Sequence, residues 1–337
     1  MILVTGGTGL VGSHILYDLL KSGKKVRALK RKTSKLELVR TTFGYYSTNA
    51  DQLFELIEWV DGDMLDIFSL EEALRGIDQV YHAAALVSFK DSDHRKMLDI
   101  NVEGTRNLVN VCLEKKIEKF GFVSSIAALG SPEEGENTVT ETTAWSPEDN
   151  RSGYSISKFQ SELEVWRGVE EGLQAIVVNP SIILGPGQWE KGSSKLFSTV
   201  ANGLKYFTKG ITGYVDVRDV SRAMIQLMES DIVNERYILN GEDLSYEYIF
   251  KTIARAMNIP SPTRYASPLL TEIGWRLAYL KKIFLLGTPS FTKETARAAH
   301  NEKYFSNQKI KDAIDFEFTS IEQSIKNTVR HYPSNKE

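Results

Sequence analysis

Short apolar runs rich in β-branched residues alternate with longer stretches of helical periodicity through the first half of the chain. ILVT (2–5), KVRAL (25–29), LIEWV (56–60), QVYHAA (79–84), KFGFVSS (119–125) and AIVVNP (175–180) predict strands. Between them, about 10–22, 67–75, 94–115 and 151–171 predict helices, and residues 32–55 a helix with an irregular insertion. This alternation predicts βαβ units: an α/β, doubly wound parallel sheet with helices on both faces. Beyond Pro180 the rhythm breaks. SIILGPGQWEKGSS reads as a loop, YVDVRDVSRAMIQLM as a short strand feeding a helix, and ERYILNG as one more strand. From Ser245 onward helical patterns dominate. The predicted division is a sheet domain over 1–180, with strands near 214–218 and 236–240 returning to it, and a smaller helix-rich lobe over 181–337.

Composition narrows the classes. With 42% hydrophobic and 25% charged residues, 337 residues suffice for one large domain or two closely joined ones. A net charge of −3 argues against a nucleic-acid partner or a polybasic membrane patch. Cys112 lies in LVNVCLEKK, apolar at helical spacing, and reads as a buried structural thiol. The first strand runs directly into a glycine turn, leaving no room for a cleavable signal peptide, so a cytoplasmic location is expected. No apolar run reaches the ~18 residues of a membrane span. The nearest, GWRLAYLKKIFLLG (274–287), carries Arg276, Lys281 and Lys282 and reads as a core-facing cap in preference to a surface-seeking amphipath. No metal site is expected, because the histidines show no ligand spacing; His82 reads as a satisfied structural histidine.

VTGGTGLVGSHIL (4–16) follows the first strand and opens the first helix, with Gly6, Gly9 and Gly12 at the spacing G-x-x-G-x-x-G. Small residues let the backbone turn tightly and approach a pyrophosphate, and the helix start offers unpaired N–H groups. Gly6, Thr8, Gly9, Leu10 and Val11 are the expected cofactor contacts of a Rossmann domain. Dinucleotide folds that take NAD place a carboxylate about 20 residues on, at the end of the second strand. This chain instead reads Arg27-Ala28-Leu29-Lys30-Arg31-Lys32 there. Arg31 is suited to the 2′-phosphate of NADP, a charge-assisted contact worth ~1.5–3 kcal/mol. NADP is therefore the expected cofactor, with NAD as the alternative.

GYSISKFQSE (153–162) places Tyr154 and Lys158 one turn apart on one helical face. Together with TGGTGLVG, VSSIAA (123–128) and NPSIILGPG, this pair resembles the short-chain dehydrogenase/reductase superfamily, in its extended, epimerase/dehydratase-like form. VRALKRKTS, VYHAAALVSF and FTKETARAAHNEKYFS are similar to dihydroflavonol-reductase-like bacterial proteins. The resemblance implies that Tyr154 is the general acid, that Lys158 favours the phenolate and holds the nicotinamide ribose, and that Ser125 binds the substrate oxygen, with Ser124 the runner-up. It further implies that Asp63, with Met64 beside it, accepts from the adenine amino group; alternatively Asp63 caps the helix beginning near Ile67. Ala83, Ala84 and Ala85 would let the backbone approach the cofactor, and Pro180 and Ile183 would lie beside the nicotinamide. The resemblance also implies that Asn101 belongs to a proton relay through water; it reads equally as a buried residue paired with backbone, and the two readings are compatible.

The expected substrate is a small-molecule carbonyl or alcohol. Val87, Ser88, Phe89, Leu129, Gln188, Trp189 and Tyr206 are expected to line its pocket. Arg218 would meet a substrate anion or pair with Asp216 or Asp219. Within the group this chain resembles, the 4,6-dehydratases carry an Asp-Glu pair directly after the active-site hydroxyl residue; here Ser125 is followed by Ile126 and Ala127, which implies no such elimination. The expected activity is NADP(H)-dependent reduction of a ketone or aldehyde. Sugar-nucleotide epimerisation with NAD and a non-catalytic dinucleotide-sensing module are the alternatives. A homodimer through helices 94–115 and 151–171 is a further implication, with Leu163 and Trp166 serving either that interface or the core.

Overall fold

The structure is a computed structural model describing residues 1–88, 90–132, 135–146, 151–285 and 293–333. Its strands are β1 (Ile2–Thr5), β2 (Val26–Lys30), β3 (Glu58–Asp61), β4 (Gln79–His82), β5 (Lys119–Val123), β6 (Thr138–Val139) and β7 (Ala175–Pro180). They continue as β8 (Ile182–Leu184), β9 (Tyr206–Phe207), β10 (Ile211–Asp216), β11 (Glu235–Leu239), β12 (Glu242–Ser245), β13 (Arg264–Tyr265) and β14 (Tyr304–Phe305). Seven of them form one parallel sheet in the order β11-β7-β5-β4-β1-β2-β3.

The helices are α1 (Leu10–Lys21), α2 (Glu37–Gly44), α3 (Ala50–Glu55), α4 (Ile67–Ala73), α5 (His94–Met97), α6 (Gly104–Lys115) and α7 (Gly153–Glu170). After them come α8 (Lys195–Ala201), α9 (Val217–Glu229), α10 (Tyr246–Ala256), α11 (Pro268–Leu285), α12 (Lys293–Ala298), α13 (Gln308–Ile314) and α14 (Ile321–Val329). Strands β1, β5 and β7 are buried along their whole length, which is why they read as unbroken apolar runs. On one face, Ile15, Leu16 and Leu19 of α1 pack with Met224 and Leu227 of α9; on the other, Leu108, Val109 and Cys112 of α6 pack with Val165 of α7. Each such side chain contributes ~1.5–3 kcal/mol on burial. The helix-rich lobe has its own core of Phe197, Tyr214, Ile249, Ile253, Ile321 and Ile325.

Three expectations are corrected. The strand near 214–218 does not join the main sheet: β10 pairs with β8 and β12 in a separate three-stranded sheet. The position beside β7 is taken by β11, in register from Glu235↔Ile176 to Leu239↔Pro180. The helix over 94–115 is interrupted, since Leu98–Glu103 is a π-helical stretch between α5 and α6. Its widened ladder coincides with Thr105 Oγ1 donating back to the Asn101 carbonyl at 2.5 Å. Finally, the segment read as a core-facing cap keeps Leu277 60% exposed, alongside Leu269, Leu270 and Ile273 on the same helix α11. No helix among the described residues is long and apolar enough to cross a membrane.

Candidate active site

The glycine turn lies at the carboxyl end of β1. Gly6 adopts φ +70°, and a Cβ there would sit 2.5 Å from the backbone of Ala83 and Ala84. A Cβ on Gly12 would strike the Gly6 carbonyl. The turn is therefore packed against both the exit of β4 and its own helix, as only glycine permits. Helix α1 starts from Gly9, which provides no side-chain cap, so the first-turn N–H groups of Leu10 and Val11 face the end of the sheet without one. This uncapped helix start behind a glycine cradle fits the pyrophosphate of NAD(P).

Along β2 and just past it the basic residues divide. Arg27 bonds Glu58 and Lys30 bonds Asp61, both acids lying on β3. Arg31 is exposed, and its guanidinium has no protein partner among the described residues. Asp63 does not cap α4; the cap is Asp66, whose carboxylate accepts from Ser69 N. Asp63 Oδ1 instead accepts from Leu65 N at 3.0 Å in a local turn. Met64 is buried, its carbonyl held by Asn107 Nδ2 at 3.1 Å.

Tyr154, Lys158 and Ser125 come together where β5 meets the first turns of α7. Ser125 stands at the start of the Ile126–Ala128 turn, accepts from Ala127 N at 3.1 Å and hydrogen-bonds the Tyr154 side chain. Ser152 caps α7, and Ser155 Oγ donates to the Ala127 carbonyl at 2.5 Å, fastening the helix start to that turn. Burial pushes the Tyr154 phenol above its ordinary value, opposed by the Ser125 hydrogen bond. Lys158 is 2% exposed; its Nζ donates to the Val123 carbonyl at 2.9 Å and lies 4.6 Å from the Phe122 ring centre. Burial brings it down to about 8, while Glu162 pushes it back up.

A directed chain of buried hydrogen bonds supports the other wall. Thr105 gives its hydroxyl proton to the Asn101 carbonyl, so it accepts from His82 Nε2 at 3.0 Å. His82 Nδ1 then accepts from Thr5 Oγ1 at 2.6 Å, and Thr5 Oγ1 accepts from Ala84 N. His82 is neutral, brought down to about 3 by burial, with the Lys158 charge adding to the shift. Asn101 clamps the loop after β4: its Oδ1 accepts from Leu86 N at 2.7 Å, and its Nδ2 donates to Leu86 O and to Ser157 Oγ. Of the two readings of Asn101, the pairing with backbone is thus realised in this geometry.

Residues 2–239 match the NAD dependent epimerase/dehydratase family. The chain belongs to this family. It is 30% identical over 310 residues to sterol demethylase protein B of Methylococcus capsulatus, covering 89% of this chain and 88% of that one. A Synechocystis protein with dihydroflavonol 4-reductase in its name is 28% identical over 341 residues, 98% of this chain and 93% of that one. Among solved structures, gox2253 superposes with a TM-score of 0.80 at 28% identity, covering 98% and 97% of the two chains. Membership of the epimerase/dehydratase family makes this an NAD(P)-dependent enzyme of the extended short-chain dehydrogenase/reductase type, on the Rossmann sheet described above.

The substrate side of this epimerase/dehydratase fold matches the expectations unevenly. Val87 is exposed, and Ser88 is turned to Asp93 Oδ2 at 2.6 Å; Phe89 lies outside the described residues. Ile183 is half-buried on β8, three residues beyond the buried end of β7 at Pro180. Ala85, next to the cofactor loop, is exposed. Leu129 is fully buried with Val139, Ile238 and Phe305, so it fills a small core and lines no cleft. Trp189 packs on Tyr332 at 4.9 Å and on Phe197 in the lobe core, while Gln188 beside it is half-buried. Tyr206 lies exposed on β9 opposite Arg264. Of the two readings of Arg218, the pairing with Asp216 is the one in this geometry, with bonds of 2.9 and 2.5 Å, in place of a substrate anion contact. Among the described residues no cluster of three His, Cys, Asp or Glu could hold a metal ion.

Two neighbours of the site were not anticipated. His94 packs against Gly153, beside Tyr154, where any side chain at 153 would collide with the imidazole. Glu162, one turn beyond Lys158, is buried and receives Ser124, Asn179, Trp166 and Arg236. Its position four residues after Lys158 was a readable signal; that of His94, on a different helix, was not.

Proposed function

We propose that this chain is an NADP(H)-dependent reductase of a ketone or aldehyde on a small molecule, with Tyr154 as the general acid. The carrying observation is the half-buried Tyr154, hydrogen-bonded to Ser125, its phenol pushed above its ordinary value by burial. A protonated phenol is the form needed to give a proton to a carbonyl oxygen. Bound NADPH supplies the hydride. Ser125 orients the substrate oxygen toward Tyr154, and the Lys158 ammonium below stabilises the phenolate left when the proton departs. Solvent returns that proton after the alcohol leaves.

Arg31, without a protein partner, supports NADPH over NADH, because Lys30 and Arg27 are already occupied by acids. Asp63, with one carboxylate oxygen uncommitted, is assigned to the adenine end, beside Met64. The glycine turn from Gly6 to Val11 holds the pyrophosphate, with Ala83 to Ala85, Pro180 and Ile183 nearer the nicotinamide. The relative named for dihydroflavonol reduction supports a reductive direction. Ile126 and Ala127 after Ser125 leave elimination without its acid and base. Exposed Leu163 on α7 is consistent with a homodimer, whereas Trp166 turns inward to Glu162. The test is NADPH oxidation across a carbonyl panel: turnover lost in Tyr154→Phe with NADPH binding retained supports the reading. Turnover retained in that variant overturns it.

A further inference from the structure

We propose that Glu162 is a positioning residue of this site, its carboxylate fixing the charge of Lys158 and tying together the strand ends that carry the reacting groups. The proposal rests on the reductase reading for its catalytic consequence. Tyr154, Lys158, Glu162 and Trp166 recur every four residues on α7 and so share one face. Both Glu162 and Lys158 are 2% exposed.

Every contact of the Glu162 carboxylate comes from a donor. Oε2 accepts from Ser124 Oγ at 2.6 Å and Asn179 Nδ2 at 2.8 Å; Oε1 accepts from Arg236 at 3.0 Å and Trp166 Nε1 at 3.3 Å. Ser124 stands at the end of β5 and Asn179 near the end of β7. The same Asn179 Nδ2 donates to the Ser125 carbonyl at 3.1 Å. Both neighbours of that nitrogen are acceptors, so the amide has one orientation. One carboxylate therefore reaches, through a single amide, the residue that hydrogen-bonds Tyr154. Arg236 extends the link outward, donating to the Glu141 carbonyl at 2.7 Å, while Glu141 Oε1 accepts from Ile238 N.

Among the described residues, Glu162 is the charge that acts on Lys158 beside burial. On its own helix Lys158 has Tyr154 and Glu162; from β4 comes the neutral His82, from β5 the Phe122 ring and Val123 carbonyl, and from β11 Arg236, on the far oxygen of Glu162. Glu162 is the anion acting on Lys158 and opposes the effect of burial. A purely structural carboxylate would hold the strands but leave the lysine titration unchanged.

Full-length protein labelled with 13Cε-lysine, titrated by NMR and assigned with Lys158→Arg, reads the lysine directly. Lys158 is expected to titrate near 8 in the unaltered chain and about one unit lower in Glu162→Gln. Glu162→Asp, which keeps the charge, is expected to remain close to the unaltered midpoint. An unmoved midpoint in Glu162→Gln, or equal displacement in both variants, overturns the proposal. In the unaltered chain the Trp166 indole N–H resonance is expected to shift with the Lys158 midpoint, a readout that survives if the Gln variant does not fold. A Trp166 resonance that ignores that midpoint counts against the coupling. In turnover, the alkaline limb of the pH profile should move down with the lysine. If no carbonyl compound is reduced while the NMR shift appears, the reductase reading fails and the Glu162–Lys158 coupling stands.

Discussion

Lys158 Nζ lies 2.9 Å from the Val123 carbonyl oxygen, on the inner side of α7 and over the Phe122 ring. A lysine whose pKa falls from 10.5 to about 8 through burial is a cation the fold would rather lack. Lys158→Met should accordingly raise stability at pH 7 by about 1–2 kcal/mol, part of the gain being offset by the lost bond to Val123. Hydride transfer should disappear in the same variant. Chemical denaturation measures the first effect and NADPH oxidation the second; a destabilised Met variant contradicts the assignment of Lys158 as a cost borne for function.

Tyr154→Phe removes only the phenolic oxygen. Turnover should fall by about 10²- to 10⁴-fold, the usual scale of a positioned acid, with cofactor affinity changed less than about twofold. Steady-state kinetics together with NADPH fluorescence titration separate the two. Equal loss of binding and turnover would point to a role in holding the cofactor.

The Arg31 guanidinium, just past β2, has no protein partner among the described residues, whereas Arg27 and Lys30 are paired with Glu58 and Asp61. Arg31→Ala should weaken NADPH binding by about 10- to 100-fold and leave NADH binding nearly unchanged. Parallel calorimetric titrations decide it. Equal weakening of both nucleotides removes the 2′-phosphate assignment.

His14 and His82 are both buried and neutral, burial bringing them to about 4 and about 3. Unfolding returns them to about 6.5, so below that pH the unfolded chain binds more protons and stability falls as pH falls toward the folded values. Each contributes up to ~1.4 kcal/mol per pH unit within that window. The carboxyls of Asp18 and Asp219, raised by burial, take up protons in the folded state at the acid end and offset part of the loss. Denaturation at pH 7, 6 and 5 should show His14→Gln losing about 1 kcal/mol less per unit than the unaltered chain. Parallel slopes would mean His14 is already charged in the fold.

The main sheet was legible because β1, β4, β5 and β7 are apolar runs followed by helical periodicity, and the glycine turn and the Tyr154–Lys158 pair sit at its fixed points. β10 was misplaced because a short apolar run does not say which sheet it joins; the pairings of β10 with β8 and of β11 with β7 decide that, and they link residues distant in sequence. The π-helical break was hidden for a related reason. Residues 94–115 keep helical periodicity throughout, and the contacts around the break run from Asn101 to Leu86 and from Thr105 to His82, which are distant in sequence. Leu129 and Trp189 show a different limit: a place in a loop after a sheet strand does not say whether a side chain faces a cleft or a core.

The reductase account depends on a cofactor that exchanges at each turnover, so the nucleotide state of the purified protein tests it most directly. Mass spectrometry of nucleotide released on denaturation should find none in stoichiometric amount, and the protein should then bind NADPH about tenfold or more tightly than NADH. Stoichiometric NAD retained through purification, with no preference for NADPH, would contradict the account and indicate an internal redox cycle of the epimerase kind.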